Sequence, residues 1–205
     1  MNHPDWIRKQ HDAIRKIAKP DWHYADVGAC KGEILILLHE IMDKGYAFEA
    51  NPTNAATLQQ YFIDPKVTII SSAVGNMNGE ASFYFGNNQE EGSLLGHDMN
   101  FTPLSDSIMV PSLTLDTYFK DKKIDFIKVD VEGSEWEVFG GSMKLLKEKD
   151  IIWQVEFHLD EHWDQRHFLY DLGYSIYDLD FNKLSVDDPR PYLAFVSKQE
   201  LPNEN

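Results

Sequence analysis

The chain has almost no cysteine, since Cys30 is the only one among its 205 residues. A single cysteine excludes a disulfide within the chain and is typical of a reducing compartment. Long hydrophobic runs are also missing: no apolar segment approaches the length of a membrane span, and the first ten residues lack the apolar core of a signal peptide. These absences predict a cytoplasmic protein with no membrane partner.

Positive charge is scarce as well, with 19 Lys and Arg against 34 Asp and Glu and a formal net charge of −15. Such a surface repels phosphate backbones, so we expect no nucleic-acid partner. The length suits one sizeable core rather than two. We therefore expect one domain over residues 1–205, with an N-terminal helix within residues 1–20 and a flexible tail at residues 198–205.

Extended and helical stretches alternate along the chain after an opening amphipathic helix at residues 4–18. The pattern predicts strands at residues 24–27, 46–49, 67–71, 126–130, 151–157, 174–177 and 193–197. It predicts further helices at residues 32–42, 54–61, 135–147 and 161–172. Strands separated by helices indicate an α/β fold, a mostly parallel seven-stranded sheet with helices on both faces.

The middle of the chain departs from this alternation. The pair Asn78-Gly79 precedes an alternating run with Phe83 and Phe85, which predicts an inserted β-hairpin. Residues 86–107 are polar, rich in turn-forming residues and without a clear period. Long irregular stretches in compact domains are usually functional or disordered, so His97 and Asp98 are candidates for a lid over the site.

Two glycines mark the join between the first predicted strand and the following helix, in "DVGACKGE". Gly28 lets the backbone turn and approach a ligand at the carboxyl end of the strand, where a side chain would obstruct it. Gly32 lets the helix begin close to the sheet. Glu49 ends the second strand, where an acid can accept hydrogen bonds from both ribose hydroxyls. Together these residues predict a cofactor that contains adenosine.

Position 30 decides which adenosine cofactor fits. A dinucleotide pyrophosphate favours the spacing G-x-G-x-x-G, but the middle glycine is replaced by Cys30, which disfavours a nicotinamide oxidoreductase. Asp26, two residues before the turn, suits a cofactor with a positively charged amino group. S-adenosylmethionine has both an adenosine and such a group.

Six segments make a wider resemblance: "DVGACKGE", "FEANP", "SSAVGNMNGEASFYF", "SLTLDTYF", "IDFIKVDVEGSEWEVFGGSMKLL" and "WQVEFH". In this order and spacing, from about residue 24 to residue 158, the chain resembles FkbM-type methyltransferases. The resemblance implies a Rossmann-like class I methyltransferase fold that uses S-adenosylmethionine. It also implies a hydroxyl oxygen as the methyl acceptor, on a sugar, a glycosylated product or another small molecule.

The resemblance also implies roles for individual residues. Asp26, Gly28 and Gly32 would line the methionine end of the cofactor, and Glu49 would bind the ribose. Ser72 and Ala73 would lie beside the adenine, and Asp130 would face the methionine and the acceptor. The complete predicted cofactor-binding set is Asp26, Gly28, Ala29, Gly32, Glu49, Ala50, Ser72, Ala73 and Asp130.

Methyl transfer to a hydroxyl needs a base or a metal ion to take up the proton. The candidates follow two predicted strands: Asp130 and Glu132 after the fourth, Glu156 and His158 at the fifth. A neutral histidine can accept a proton near neutral pH, which makes His158 the predicted base, although a plain hydrogen bond at a strand end explains it equally well. Glu135 is expected to stabilise the first turn of the next helix.

"HLDEH" places His158 and His162 four residues apart, but its Glu is misplaced for the zinc motif H-E-x-x-H. We therefore expect no structural metal. A magnesium ion held by carboxylates such as Asp130 and Glu156 stays an alternative to a side-chain base. Trp163 is a candidate acceptor contact. A non-catalytic cofactor-binding module is the alternative to an enzyme.

Overall fold

The computed structural model describes residues 5–86, 92–97 and 102–202, with the backbone alone at residues 160–162. Its elements, in chain order, are α1 (Asp5–Ile17), β1 (His23–Val27), α2 (Glu33–Ile41), β2 (Lys44–Glu49), α3 (Pro52–Tyr61), β3 (Val67–Ser71), β4 (Ala73–Val74), β5 (Gly79–Tyr84), β6 (Ser107–Leu113), α4 (Leu115–Tyr118), β7 (Phe126–Val129), α5 (Glu135–Gly140), α6 (Met143–Glu148), β8 (Ile152–Glu156), a 3₁₀ helix (Asp160–Arg166), α7 (His167–Asp171), β9 (Ser175–Tyr177), β10 (Lys183–Leu184) and β11 (Leu193–Ser197).

The main sheet has the order β10-β9-β11-β8-β7-β1-β2-β3. Strands β3, β2, β1, β7 and β8 are parallel, whereas β11 runs antiparallel to both β8 and β9. The predicted α/β fold with a mostly parallel sheet is confirmed. Among the described residues the main sheet has eight strands rather than seven, because the two-residue strand β10 pairs antiparallel with β9 at the edge. Two residues are too few to show a period in the sequence.

Alternation along the central strands divides the core between the two faces of the sheet. On β1, Tyr24 packs with residues of α1, α2 and α3, whereas Ala25 and Val27 pack on the opposite face with residues of α4 to α7. Asp26 shares the face of Tyr24, since side chains two apart on a strand point the same way. The register pairs Asp26 with Lys128 and Lys128 with Gln154. A buried polar row therefore crosses the sheet beneath α1.

The inserted β element is a separate three-stranded sheet rather than the predicted hairpin. Strand β5 pairs antiparallel with β6, and β6 pairs in parallel with β4, in the order β4-β6-β5. Asn78 anchors the start of β5, because its side chain accepts a hydrogen bond from the Thr114 amide and donates one to Thr117. The partner of β5 therefore comes from a distant segment, which the local turn signal does not reveal.

Two predicted helices are also interrupted. The helix expected at residues 135–147 divides into α5 and α6 at Gly140-Gly141, where a Cβ on Gly141 would lie 2.0 Å from the Gly75 carbonyl oxygen. The helix expected at residues 161–172 begins instead as the 3₁₀ helix and continues as α7. Near the end of the described chain, Leu201 is buried in the core beside α1. No helix in the described ranges is long and apolar enough to cross a membrane.

Candidate active site

The first glycine turn brings the ends of three neighbouring strands together. The amides of Gly28 and Ala29 both donate to the carbonyl of Phe48, at 3.0 and 3.1 Å. Gly28 has φ +79°, and a Cβ there would lie 1.7 Å from the carbonyl oxygen of Asp130. The backbone that follows β7 by itself requires glycine at this position.

Gly32 also lies close to the neighbouring helix. Its φ is +83°, and a Cβ would lie 2.9 Å from Leu58 and 3.0 Å from Phe62. These side chains belong to α3 and its carboxyl end. Gly32 therefore lets the start of α2 lie close to α3.

Glu49 is buried at the end of β2 and connects the turn to the next helix. Its Oε2 accepts a hydrogen bond from the amide of Cys30 and its Oε1 accepts one from the amide of Asn51, both at 2.7 Å. Burial raises the pKa of Glu49, and the two backbone hydrogen bonds oppose that rise. Each carboxylate oxygen retains a second lone pair, so the side chain can still accept hydrogen bonds from a diol.

A cavity opens beside Glu49 and collects most of the residues predicted to hold adenosine. Its lining includes Gly28, Glu49, Ala50, Ser72, Ala73 and Asp130, together with Phe83 and Leu94 of the inserted element. Asp26 and Ala29 open instead onto a second cavity, and Gly32 lines neither of the two. We call the first of these the adenosine-side cavity.

The second cavity, of about 270 Å³, lies between α1 and the carboxyl ends of β1, β7 and β8, and we call it the helix-side cavity. Three kinds of residue line it. They include Trp6, Ile7 and Gln10 of α1, Asp26 and Lys128 of the polar row, and the acids Asp130, Glu132 and Glu156. Gly28, Cys30, Asp130 and Glu132 line both cavities. The two spaces therefore meet at the ends of the central strands.

Lys128 is a buried cation between two of the predicted site residues. Its Nζ lies 3.3 Å from Asp26 Oδ1, 3.1 Å from Asp130 Oδ2 and 3.1 Å from the carbonyl of Gly28. Burial alone lowers the pKa of Lys128, but the charges of Asp130 and Asp26 outweigh it and raise that pKa. Burial raises the pKa of Asp26, and Lys128 opposes the rise. Within the described residues, neither Asp26 oxygen has a hydrogen bond.

His158 lies among four carboxylates that come from three segments, and we call these five residues the carboxylate–histidine cluster. Its side chain is 5% exposed, and Nδ1 lies 2.7 Å from Glu135 Oε1. The other ring nitrogen, Nε2, faces three oxygens, at 3.4 Å from Glu156 Oε1, 3.5 Å from Glu132 Oε2 and 3.8 Å from Asp130 Oδ1. The structure thus brings together all four predicted catalytic residues.

The surroundings within this cluster shift the pKa values of His158 and Glu132. Burial alone lowers the pKa of His158, but the hydrogen bonds that its ring donates to Glu135 and Glu156, with the charges of Glu135 and Asp130, raise it to about 11. Burial raises the pKa of Glu132 to about 7, and the charge of His158 opposes the rise. Without another cation, the ring is protonated near neutral pH, which conflicts with the expectation of a neutral histidine base.

Backbone geometry also holds Glu132. The residue has φ +52°, a left-handed conformation that is unusual outside glycine. The hydroxyl of Ser93 donates to the carbonyl of Glu132 at 2.7 Å. This contact fixes the described loop around Ser93 against the site. Of the two predicted lid residues, Asp98 lies outside the described residues, and His97 forms an isolated β-bridge with Pro103.

Sequence reasoning missed Lys128, Glu135 and Tyr192 as members of the site. Tyr192, on the segment before β11, donates its hydroxyl to Glu156 Oε1. Lys128 stands two residues before Asp130 on a strand, a spacing that places both on one face and could have revealed it. Glu135 was assigned to the helix terminus, but it accepts hydrogen bonds from the Gly133 amide and pairs with His158.

The predicted acceptor contact of Trp163 is wrong. The indole is buried against Phe157, with 5.1 Å between ring centroids, and donates to the carbonyl of Asp188. Trp163 lines neither cavity and belongs to the core. The side chain of His162 lies outside the described residues.

The strand order, the glycine turn and the acid at the end of β2 define a Rossmann-like fold of the class I methyltransferase type. The family model described as the methyltransferase FkbM domain matches residues 26–176. The chain therefore belongs to the FkbM methyltransferase family. No curated protein matches the sequence.

Solved structures support the same fold. The crystal structure of methyltransferase FkbM from Methylobacillus flagellatus KT has 16% identity and a TM-score of 0.59, and the match covers 87% of this chain but 44% of that one. This chain thus spans less than half of that protein. A methyltransferase candidate from Streptococcus mutans in complex with S-adenosylhomocysteine has 14% identity and a TM-score of 0.54, over 97% and 99% of the two chains. An rRNA methylase from Streptococcus thermophilus has 14% identity and a TM-score of 0.50, over 97% and 98%.

Proposed function

We propose that this protein is an S-adenosylmethionine-dependent methyltransferase whose acceptor is a hydroxyl oxygen on a sugar, a glycosylated product or another small molecule. The observation that carries the proposal is the junction of the two cavities at Gly28, Cys30, Asp130 and Glu132. One space suits an adenosine and the other is lined by carboxylates. Donor and acceptor would therefore meet at the ends of β1 and β7.

The residues present fit the cofactor. Asp26 lines the helix-side cavity, and its Oδ1 is paired with Lys128, so its Oδ2 can accept hydrogen bonds from a cofactor ammonium group. The free lone pairs of Glu49 suit the ribose hydroxyls. S-adenosylmethionine supplies a methyl group that is already activated by the positive charge on sulfur. The Streptococcus mutans structure, which holds the demethylated product of that cofactor, supports the same cofactor class.

Glu132 is the residue that we assign to accept the proton of the hydroxyl. It lines both cavities, as does Asp130, whereas His158 lines neither. Asp130 is already paired with the buried Lys128, with 3.1 Å between Oδ2 and Nζ. Glu132 has no such lysine contact among the ion pairs of the described residues. His158 becomes a positioning residue that holds Glu132, Glu156 and Asp130 around it.

The negative charge of the site favours some classes of acceptor over others. Asp130, Glu132 and Glu156 line the helix-side cavity, and the whole chain has a net charge of −15. Carboxylates at the entrance disfavour a phosphodiester and favour a neutral hydroxylated acceptor. Because one structural neighbour is an rRNA methylase, RNA is the acceptor class that experiments need to exclude.

Titration calorimetry with S-adenosylhomocysteine and with NAD, on the same preparation, tests the cofactor. We expect the first to bind and the second not to bind. The reverse result would refute the proposal. A panel of hydroxylated acceptors with a labelled methyl donor then tests for turnover. If S-adenosylhomocysteine binds but no methyl group is transferred to any of these acceptors, the non-catalytic module is favoured instead.

The base assignment is tested by Glu132→Gln, with Glu80→Gln on the exposed face of β5 as the matched control. Loss of the proton acceptor should lower kcat about 10²- to 10⁴-fold, the usual range for general base catalysis, with S-adenosylhomocysteine affinity nearly unchanged. Full turnover in Glu132→Gln would exclude Glu132 as the base.

A further inference from the structure

We propose that Asp130, Glu156 and His158 form a binding site for one divalent first-row transition-metal ion, with Glu132 beside it. One Asp130 oxygen, one Glu156 oxygen and one His158 ring nitrogen all lie within 4.8 Å of one another. They come from the ends of two adjacent parallel strands, β7 and β8, and the segment that follows β8. Two of them, Asp130 and Glu156, line the helix-side cavity.

The orientation of His158 is the observation that separates this cluster from an ordinary group of acids. Nδ1 is engaged by Glu135, which is almost fully buried, so Nε2 is the nitrogen directed at the carboxylates. Among the described residues Nε2 makes three ion contacts at 3.4 to 3.8 Å, beyond the 2.7–2.9 Å usual for a charge-assisted hydrogen bond. Metal-binding histidines typically donate their second ring N–H to a carboxylate in this way.

The separations between these atoms match a shell of ligands around one ion. Zinc lies about 2.0–2.1 Å from histidine nitrogens and carboxylate oxygens, so two ligands at a tetrahedral angle are about 3.4 Å apart. The Nε2 atom lies 3.4 Å from Glu156 Oε1 and 3.8 Å from Asp130 Oδ1. A contraction of a few tenths of an ångström would bring the Asp130 oxygen as close to Nε2 as the Glu156 oxygen is. The fourth position would be open to the cavity, as in catalytic rather than structural zinc sites.

Nitrogen ligation selects the class of ion. Imidazole suits zinc, iron, copper and nickel, whereas magnesium prefers oxygen ligands and retains much of its water. The site therefore differs from the magnesium alternative raised by the carboxylates alone, because it includes the His158 ring. It also differs from a structural metal site, which the sequence did not predict.

The position of the site suggests what the ion would do. This part of the inference rests on the proposed function. A metal ion at the wall of the helix-side cavity would bind the acceptor oxygen and lower the pKa of its hydroxyl, so that Glu132 receives the proton more readily. The binding site itself does not depend on the methyl-transfer proposal.

Zinc binding to the chelator-treated full chain tests the site. We expect calorimetry to show about one Zn²⁺ per chain, with Mg²⁺ at least tenfold weaker. In His158→Gln, zinc affinity should fall at least tenfold. In Glu135→Gln, which removes the charge that orients the ring, it should fall about 10- to 100-fold. His39→Gln is the matched control, because His39 pairs with a single carboxylate, that of Asp64, and its variant should bind like the wild type.

Absence of zinc binding by a wild-type chain that is folded by circular dichroism would overturn the proposal, as would equal affinity in His158→Gln and His39→Gln. Magnesium binding as tight as zinc would also overturn it. If His158→Gln does not fold, the visible absorption of Co²⁺ added to the wild type decides between a protein-ligated ion and a hydrated one. S-adenosylhomocysteine titrated into the same samples reports on the proposed function separately.

Discussion

At the scale of single residues, Glu49 has a structural role besides the ribose-binding role that we propose for it. It was predicted to bind a ribose, and its carboxylate also holds the amides of Cys30 and Asn51. The acid therefore shapes the turn that borders the adenosine-side cavity. This dual role means that a substitution must keep the size of the side chain if ligand binding is to be tested alone.

Glu49→Gln is expected to weaken S-adenosylhomocysteine binding. The neutral amide of Gln accepts weaker hydrogen bonds than the carboxylate, and its N–H₂ group cannot accept any, so at least one charge-assisted hydrogen bond from a ribose hydroxyl, of about 1.5–3 kcal/mol, is lost. Calorimetry should show an affinity about 10- to 100-fold lower. Glu80→Gln is the control, and unchanged affinity in Glu49→Gln would show that the ribose is held elsewhere.

Gly28→Ala is expected to destabilise the fold before any ligand is added. A Cβ would lie 1.7 Å from the Asp130 carbonyl oxygen, and φ is +79°. Gly173→Ala is a matched control, since Gly173 has φ +83° and nothing within 4 Å of a built Cβ. The control isolates the conformational cost, about 1–2 kcal/mol. Urea unfolding should show a larger loss for Gly28→Ala, and equal losses would contradict the backbone contact.

At the scale of elements, α1 both packs against a core and lines one side of the helix-side cavity. Ile14 and its neighbours on the apolar side are buried between α1 and the sheet, whereas Trp6 is 46% exposed and lines the cavity. Gln10 of the same helix donates to Gln154 of the polar row at 3.1 Å. The C-terminal half of α1 therefore packs in the core, and its N-terminal half lines the helix-side cavity.

The two ends of α1 can be separated by mutation. Ile14→Ala should lower the free energy of unfolding by about 2–5 kcal/mol, because it empties a fully buried site. Trp6→Ala should leave the melting temperature close to that of the wild type but raise KM for the acceptor. Thermal melts and initial-rate kinetics on the two variants check this. A Trp6→Ala enzyme with unchanged KM would show that α1 does not contact the acceptor.

At the scale of the whole molecule, charge sets the range of partners. With 19 Lys and Arg against 34 Asp and Glu and a net charge of −15, the chain has few positive charges that could displace counterions from RNA phosphates. We expect no measurable binding of a structured RNA fragment by fluorescence anisotropy at about 0.15 M salt. S-adenosylhomocysteine titration confirms that the sample is competent. Tight RNA binding that weakens steeply with salt would contradict the proposed acceptor class.

Much of the fold was accessible from the sequence because its signals are local. Strand alternation, helix periodicity and the placement of Gly28 and Glu49 each depend on a few consecutive residues, and the predicted parallel α/β sheet is confirmed. The hairpin prediction failed because β5 pairs with β6, more than twenty residues farther along the chain. The break at Gly141 was missed because it depends on contact with Gly75, which no local pattern encodes.

The sequence by itself determined the fold class, the glycine turn and the acid that follows β2, since these depend on backbone geometry within one strand-turn-helix unit. Only the tertiary structure decided how the charged residues associate. Lys128 joins Asp26 and Asp130 because β1 and β7 are neighbours in the sheet, although Asp26 and Lys128 are 102 positions apart in the sequence. His158 meets Asp130 and Glu132 for the same reason: the carboxyl ends of the parallel neighbours β7 and β8 converge at one edge, and the strand order that brings them there is a property of the whole sheet.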